Sequence, residues 1–128
     1  MGNLTFHAVG AASADTALER YAVIERWPSW SPQIKAVHAD GEYLRPGLSG
    51  TIESVARIRI PFVVESVDPT RRTWSWRIRF GPARVRLHHA VRTREHGCET
   101  SLTIRGPTLV LAGYAPLAKL AMHRLVRK

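Results

Sequence analysis

The segment RTWSWRIRFGPARVRLHHAVR, residues 72–92, decides the fold. Trp74, Trp76, Ile78 and Phe80 occupy alternate positions, with Ser75, Arg77 and Arg79 between them. Apolar–polar alternation of period two marks a strand with one buried face. Gly81-Pro82 turns the chain. The pattern then resumes over residues 83–93, with Val85, Leu87, His89 and Val91 on one face and Arg84, Arg86, His88 and Arg92 on the other. Two strands joined by so short a turn must lie antiparallel. The hairpin therefore presents aromatic and aliphatic side chains to one side and arginines to the other.

Working outward, His96-Gly97 is a second turn, and residues 98–105 form a further strand with Thr100, Leu102 and Ile104 alternating. On the N-terminal side, Asp68-Pro69-Thr70-Arg71 is a turn, and residues 59–67 and 49–57 are rich in Ile, Val and Thr. Residues 34–39 and 3–9 complete the strands. Between these two, Ser13 caps a helix predicted over Ala14–Arg26, with Leu18, Tyr21, Ala22 and Glu25 at helical spacing. Pro28 and Pro32 restrict the next stretch to one short helix. After Gly106-Pro107 a long helix runs to about Arg127, with Pro116 as a kink or as the start of its regular part. Strands that follow one another without helices between them demand an antiparallel sheet. The expected architecture is α+β: a curved antiparallel sheet of about seven strands around the C-terminal helix, in a single domain over residues 1–128.

Composition bounds the function. With 45% hydrophobic and 23% charged residues the chain is globular rather than disordered. Its net charge of +9 is carried mostly by arginine and is spread along the chain, which reads as a solvated arginine-rich surface. Arg77, Arg79, Arg84, Arg86 and Arg92 form an outward stripe. It lacks interleaved aromatics, so nucleic acid is not the expected partner. Cys98 is the only cysteine, so no internal disulfide can form. Residues 1–9 lack the features of a signal peptide, and the apolar stretch Leu109–Leu120 is read as too short for a bilayer. The expectation is a cytoplasmic monomer or homodimer without a transmembrane segment. His88 and His89 are adjacent on a strand and face opposite ways, so no metal site is expected. No glycine-rich phosphate loop or nucleophile elbow occurs, and no cofactor is expected.

Several stretches, in this order and spacing, resemble the polyketide cyclase/dehydrase group of the START-like superfamily. They are Trp27-Pro28-Ser29-Trp30-Ser31-Pro32 after the first helix, Pro46-Gly47 with Gly50, Val67-Asp68-Pro69, the Trp74/Trp76 strand, His89 with Val91, and Gly97 with Thr100. That superfamily, which includes the birch-pollen allergen, has the helix-grip fold. The resemblance implies a seven-stranded sheet gripping the C-terminal helix, with a cavity between them. Because the helix stops soon after Arg127, the mouth is expected to be less covered than in longer relatives. The superfamily includes both carriers and cyclases, so the fold alone does not decide between them.

The candidate ligand-binding residues are Trp30, Phe62, Trp74, Trp76, Leu87, His89, Leu102 and Leu117, around an apolar molecule of polyketide, lipid or isoprenoid type. Trp74 and Trp76 are either dense core or the wall of a pocket. His89 is either a satisfied core histidine or an acid/base group, and with Tyr114 it forms the candidate catalytic pair of a cyclase or dehydratase. Tyr43 is a second phenolic donor. On strand 49–57, Ile52, Ser54 and Ala56 are expected to face inward and Glu53 outward, since a buried unpaired charge is costly. Arg59 is left open between an inward ligand contact and solvent. The alternatives to a cyclase are a carrier without catalysis and an interaction module that uses the basic face.

Overall fold

The computed structural model describes residues 2–55 and 57–127. The strands are β1 (Gly2–Gly10), β2 (Ile34–Ala39), β3 (Ser49–Ser54), β4 (Arg59–Asp68), β5 (Thr73–Phe80), β6 (Ala83–Arg94) and β7 (Gly97–Gly106). They form one antiparallel sheet in the order β1-β7-β6-β5-β4-β3-β2. Helices α1 (Ala14–Ala22) and α2 (Trp27–Trp30) follow β1, joined by a 3₁₀ turn over Ile24–Arg26, and α3 (Thr108–Val126) closes the chain.

The period-two pattern carries through to burial except at the end of β5, where Ile78 is half-buried and Phe80 is exposed. Trp74, Trp76, Val85, Leu87, His89, Val91, Leu102 and Ile104 are buried on one face, while Arg77, Arg84, Arg86 and Arg92 are exposed on the other. On β3, Ile52 and Ser54 are buried and Glu53 turns outward to Lys35 (3.9 Å) and His38 (3.4 Å). Arg59 is exposed. Ala56 lies outside the described residues.

Two boundaries differ from expectation. α1 stops at Ala22 rather than Arg26, because the chain pairs instead with a distant segment: Ile24 N–H donates to Glu42 O (3.1 Å) and Leu44 N–H to Ala22 O (2.8 Å). β3 stops at Ser54 rather than residue 57, because a tight turn intervenes in which Ser54 N–H reaches Ile58 O and Arg57 has φ 64°. The apolar stretch Leu109–Leu120 is part of the longer helix α3. Its 19 residues, with mean hydropathy 1.2, make it long and apolar enough to cross a membrane by composition. Here Leu111, Ala118, Ala121, Met122, Leu125 and Val126, about a third of the helix, are buried against the rest of the fold.

The C-terminal end of α3 is anchored strongly. Arg20 donates to the carbonyls of Leu125 (2.6 Å) and Arg127 (2.7 Å), placing a cation where the helix dipole is negative. Ala12 N–H donates to Val126 O at 2.9 Å. Gly10 permits this approach, since a Cβ there would sit 2.1 Å from Val126 O.

Candidate functional site

The inner face of the sheet is filled by an aromatic cluster. Trp27 sits at the centre, with ring centroids 5.2 Å from Trp76, 5.6 Å from Phe62 and 5.8 Å from Trp74. Tyr21 meets Trp30 and Trp74 edge-on, each at 5.3 Å, within the usual range for aromatic pairs. Trp27 and Trp30 are pinned by indole N–H bonds to the carbonyls of Tyr21 (2.9 Å) and Arg20 (3.0 Å). These short-range ties explain why so short an α2 holds its place.

What remains open between α3, the α2–β2 segment and the sheet is a cavity of about 40 Å³. That is far below the roughly 300–1,000 Å³ of small-molecule pockets, so a ligand of that size enters only if the space widens. Trp30, Trp76, His89 and Leu102 reach it, as do Gln33, Tyr114, Ala118, Ala121 and Met122. Phe62, Trp74 and Leu87 are buried core and do not reach it. Leu117 corrects the sequence reading: it is 40% exposed, because Ala118 and Ala121 occupy the inward face of α3. Tyr43 is 63% exposed and stands away from the cavity.

His89 is held on every side. Its ring stacks on Trp74 at 4.3 Å and 6°. Trp76 Nε1–H donates to His89 Nε2 at 3.0 Å. An indole N–H can only donate, so Nε2 must carry the lone pair and Nδ1 the proton. Nδ1–H then donates to Tyr21 Oη (3.0 Å), Tyr21 to Thr100 Oγ1 (2.8 Å), and Thr100 to Ala90 O (3.2 Å). The donors run one way through the chain, and each heteroatom has a partner. Burial lowers the His89 pKa to about 3, with His88 adding a smaller push in the same direction. The imidazole is therefore neutral at physiological pH, and both nitrogens are occupied. Burial likewise pushes the Tyr21 phenol upward, against a smaller opposing effect of the Thr100 hydrogen bond.

The polar atoms left for a guest are elsewhere. Gln33 Nε2 donates to Tyr114 Oη at 3.1 Å, and Gln33 Oε1 is buried without a hydrogen-bond partner. Burial pushes the Tyr114 phenol up to about 12, so it stays protonated and able to donate. Trp74 Nε1 is also buried without a partner, but away from the cavity. Neither Tyr21, Thr100 nor Gln33 stood out in the sequence as a site residue. Thr100 is the polar member of the inward series Cys98, Thr100, Leu102 and Ile104, and that was the available signal. Among the described residues, no three His, Cys, Asp or Glu side chains gather to hold a metal.

A seven-stranded antiparallel sheet with two short helices after the first strand and a long C-terminal helix against its inner face defines a helix-grip protein. The chain belongs to the family described as polyketide cyclase / dehydrase and lipid transport, which matches residues 1–128. No curated protein matches it. Among solved structures it is similar to the two-domain ARO/CYC protein BexL of the BE-7585A biosynthetic pathway (TM-score 0.82, 14% identity, 98% of this chain and 45% of that one). It is also similar to MLL2253 from Mesorhizobium loti (TM-score 0.80, 12% identity, 97% and 93%). Ara h 8.0201 is a third such structure (TM-score 0.77, 13% identity, 97% and 95%). At these identities the likeness is one of fold.

Proposed function

We propose that the protein binds an apolar small molecule of polyketide, lipid or isoprenoid type between the sheet and α3, and that the N-terminal half of α3 moves to admit it. The observation that carries this reading is the buried, unpartnered Gln33 Oε1 beside the Tyr114 hydroxyl, on an otherwise largely apolar cavity wall. An unmet acceptor in such a place is costly unless something else satisfies it. A ligand hydroxyl or amide would do so, and a ligand carbonyl would accept from Tyr114.

The helix is built unevenly in a way that suits opening. Leu111 is the only residue before Pro116 that is fully buried, whereas Ala118, Ala121, Met122, Leu125 and Val126 bury the second half, which Arg20 also caps. Pro116 has no N–H to give to the preceding turn, and Gly113 adds backbone freedom. A pivot near residues 113–116 would widen the cavity while the C-terminal half stays docked.

Of the candidate catalytic pair, Tyr114 faces the ligand space with a proton to give, while His89 keeps the network in register. A cyclase activity would rest on enclosure and on Tyr114, with Gln33 orienting it. The test is binding of prodan, an uncharged carbonyl-bearing naphthalene probe, followed by its fluorescence. The wild type is expected to bind saturably, and Ala118→Trp, which fills the space, to lose about tenfold or more in affinity. Equal binding by the folded variant would put the probe elsewhere and overturn the reading.

A further inference from the structure

Residues 71–94 hold eight arginines and no acidic residue, so this segment carries all but one unit of the net charge of +9. Arg71 and Arg72 stand in the turn before β5, and alternation sends the six on β5 and β6 to the outer face, away from the cavity. Their distribution there is not uniform. One cross-strand row of that face carries short side chains, Thr73 opposite Ala90 and Ala90 opposite Ser101, and ends at His7 opposite Ser101. The row is the floor of a depression of about 860 Å³, lined also by Arg71, Arg72, Arg92 and Arg94. That volume lies within the range of small-molecule sites.

The turn that places Arg72 is fixed. Asp68 Oδ1 accepts from the backbone N–H groups of Thr70 and Arg71, each at 3.1 Å. Arg72 is held at φ 58°, a left-handed conformation uncommon for a residue with a side chain. Val91 N–H donates to its carbonyl at 3.0 Å, and its guanidinium donates to Thr93 Oγ1. Arg71 faces Asp68 at 3.9 Å, and Glu99 stands opposite Arg92 in the ladder. Among the described residues Arg72, Arg92 and Arg94 form no ion pair, and Glu99 is the one carboxylate lining the depression. By contrast, Arg77 and Arg86, further along the hairpin, share Glu65 at 3.4 and 3.0 Å.

We infer that this depression is a second binding site, for a molecule bearing a phosphate group. Guanidinium forks match the paired oxygens of phosphate, and several of them around hydroxyl-bearing Thr73, Thr93 and Ser101 suit a multiply charged anion with many acceptors. The remaining arginines of β5 and β6 attract such an anion at longer range. The site lies on the opposite face of the sheet from the cavity and stands independently of the ligand proposed there.

The experiment titrates the full chain with inorganic pyrophosphate by calorimetry. In parallel, it is sedimented with vesicles of phosphatidylcholine alone and of phosphatidylcholine containing phosphatidic acid. Arg92→Gln/Arg94→Gln removes half of the rim, and Arg79→Gln/Arg84→Gln removes the same charge at the far end of the hairpin. All four side chains are exposed, and circular dichroism checks that both variants fold. Saturable pyrophosphate binding, weakened about tenfold in the first variant and kept in the second, supports a site for a soluble phosphate. The same pattern seen only with phosphatidic acid vesicles assigns the site to a lipid headgroup. No binding of either probe, or equal weakening in both variants, overturns the inference, because diffuse charge would then explain whatever attraction exists.

Discussion

Replacing His89 by glutamine tests the network at the heart of the fold, because it removes a titrating group and keeps a hydrogen-bonding one. In the folded chain His89 has a pKa of about 3, against 6.5 for an unperturbed histidine. Below the upper value the unfolded chain takes up a proton that the folded chain refuses. The contribution of the neutral imidazole is thus fully present above pH 6.5 and is lost as the pH falls toward 3. Between about pH 8 and about pH 4.5 this single proton is worth about 2.7 kcal/mol, from 1.36 kcal/mol per unit. The carboxylates titrate over part of the same range, so the quantity to read is the difference in urea unfolding free energy between wild type and variant. His89→Gln carries a fixed penalty of about 1–3 kcal/mol for imperfect partners to Trp76 and Tyr21. On acidification that gap should narrow by the amount above, and it can change sign. A gap that does not change with pH would refute the reasoning, since His89 would then titrate as it does in water.

Three other outcomes follow. Arg20→Ala removes the cation that caps α3 and should cost about 1–2 kcal/mol, with faster amide exchange confined to the last turn of the helix. Gly10→Ala forces a Cβ against the Val126 carbonyl and should destabilise the chain by about 1–3 kcal/mol, read as a lowered Tm. Leu117→Ser should leave stability within about 0.5 kcal/mol of wild type and leave prodan binding unchanged; a marked loss of binding would return Leu117 to the ligand site.

The sheet was legible because its signal is local. β5, β6 and β7 announce themselves by alternation, β3 and β4 by their Ile, Val and Thr content, and the turns at Gly81-Pro82, His96-Gly97 and Asp68-Pro69 separate one strand from the next. The end of α1 was not legible. Ala14–Arg26 has helical spacing throughout, and what stops the helix at Ala22 is pairing with residues 42–44, a contact remote in sequence. The site was legible by face but not by depth. Alternation put Trp74, Trp76, Leu87, His89 and Leu102 on the inner face, and all are buried there, as is Phe62. Which of them border open space depends on how Trp27 fills the middle, and no periodicity encodes that. Leu117 was misplaced because α3 is apolar nearly all round, so hydrophobicity alone could not say which side faces the sheet. Gln33 and Tyr21 come from the helical connection and the first helix, where spacing says little about polar contacts. The outward arginine stripe was legible from alternation, but the depression rimmed by Arg71, Arg72, Arg92 and Arg94 was not, because it depends on the left-handed turn at Arg72 and on which short side chains pair across β5, β6 and β7.

The central claim is that the space under α3 accepts an apolar guest, and native mass spectrometry of the freshly purified chain tests it most directly. The account predicts a second charge-state series heavier by one small molecule, extractable into organic solvent and absent from Ala118→Trp. A single series at the mass of the bare chain, unchanged after incubation with prodan, would contradict it.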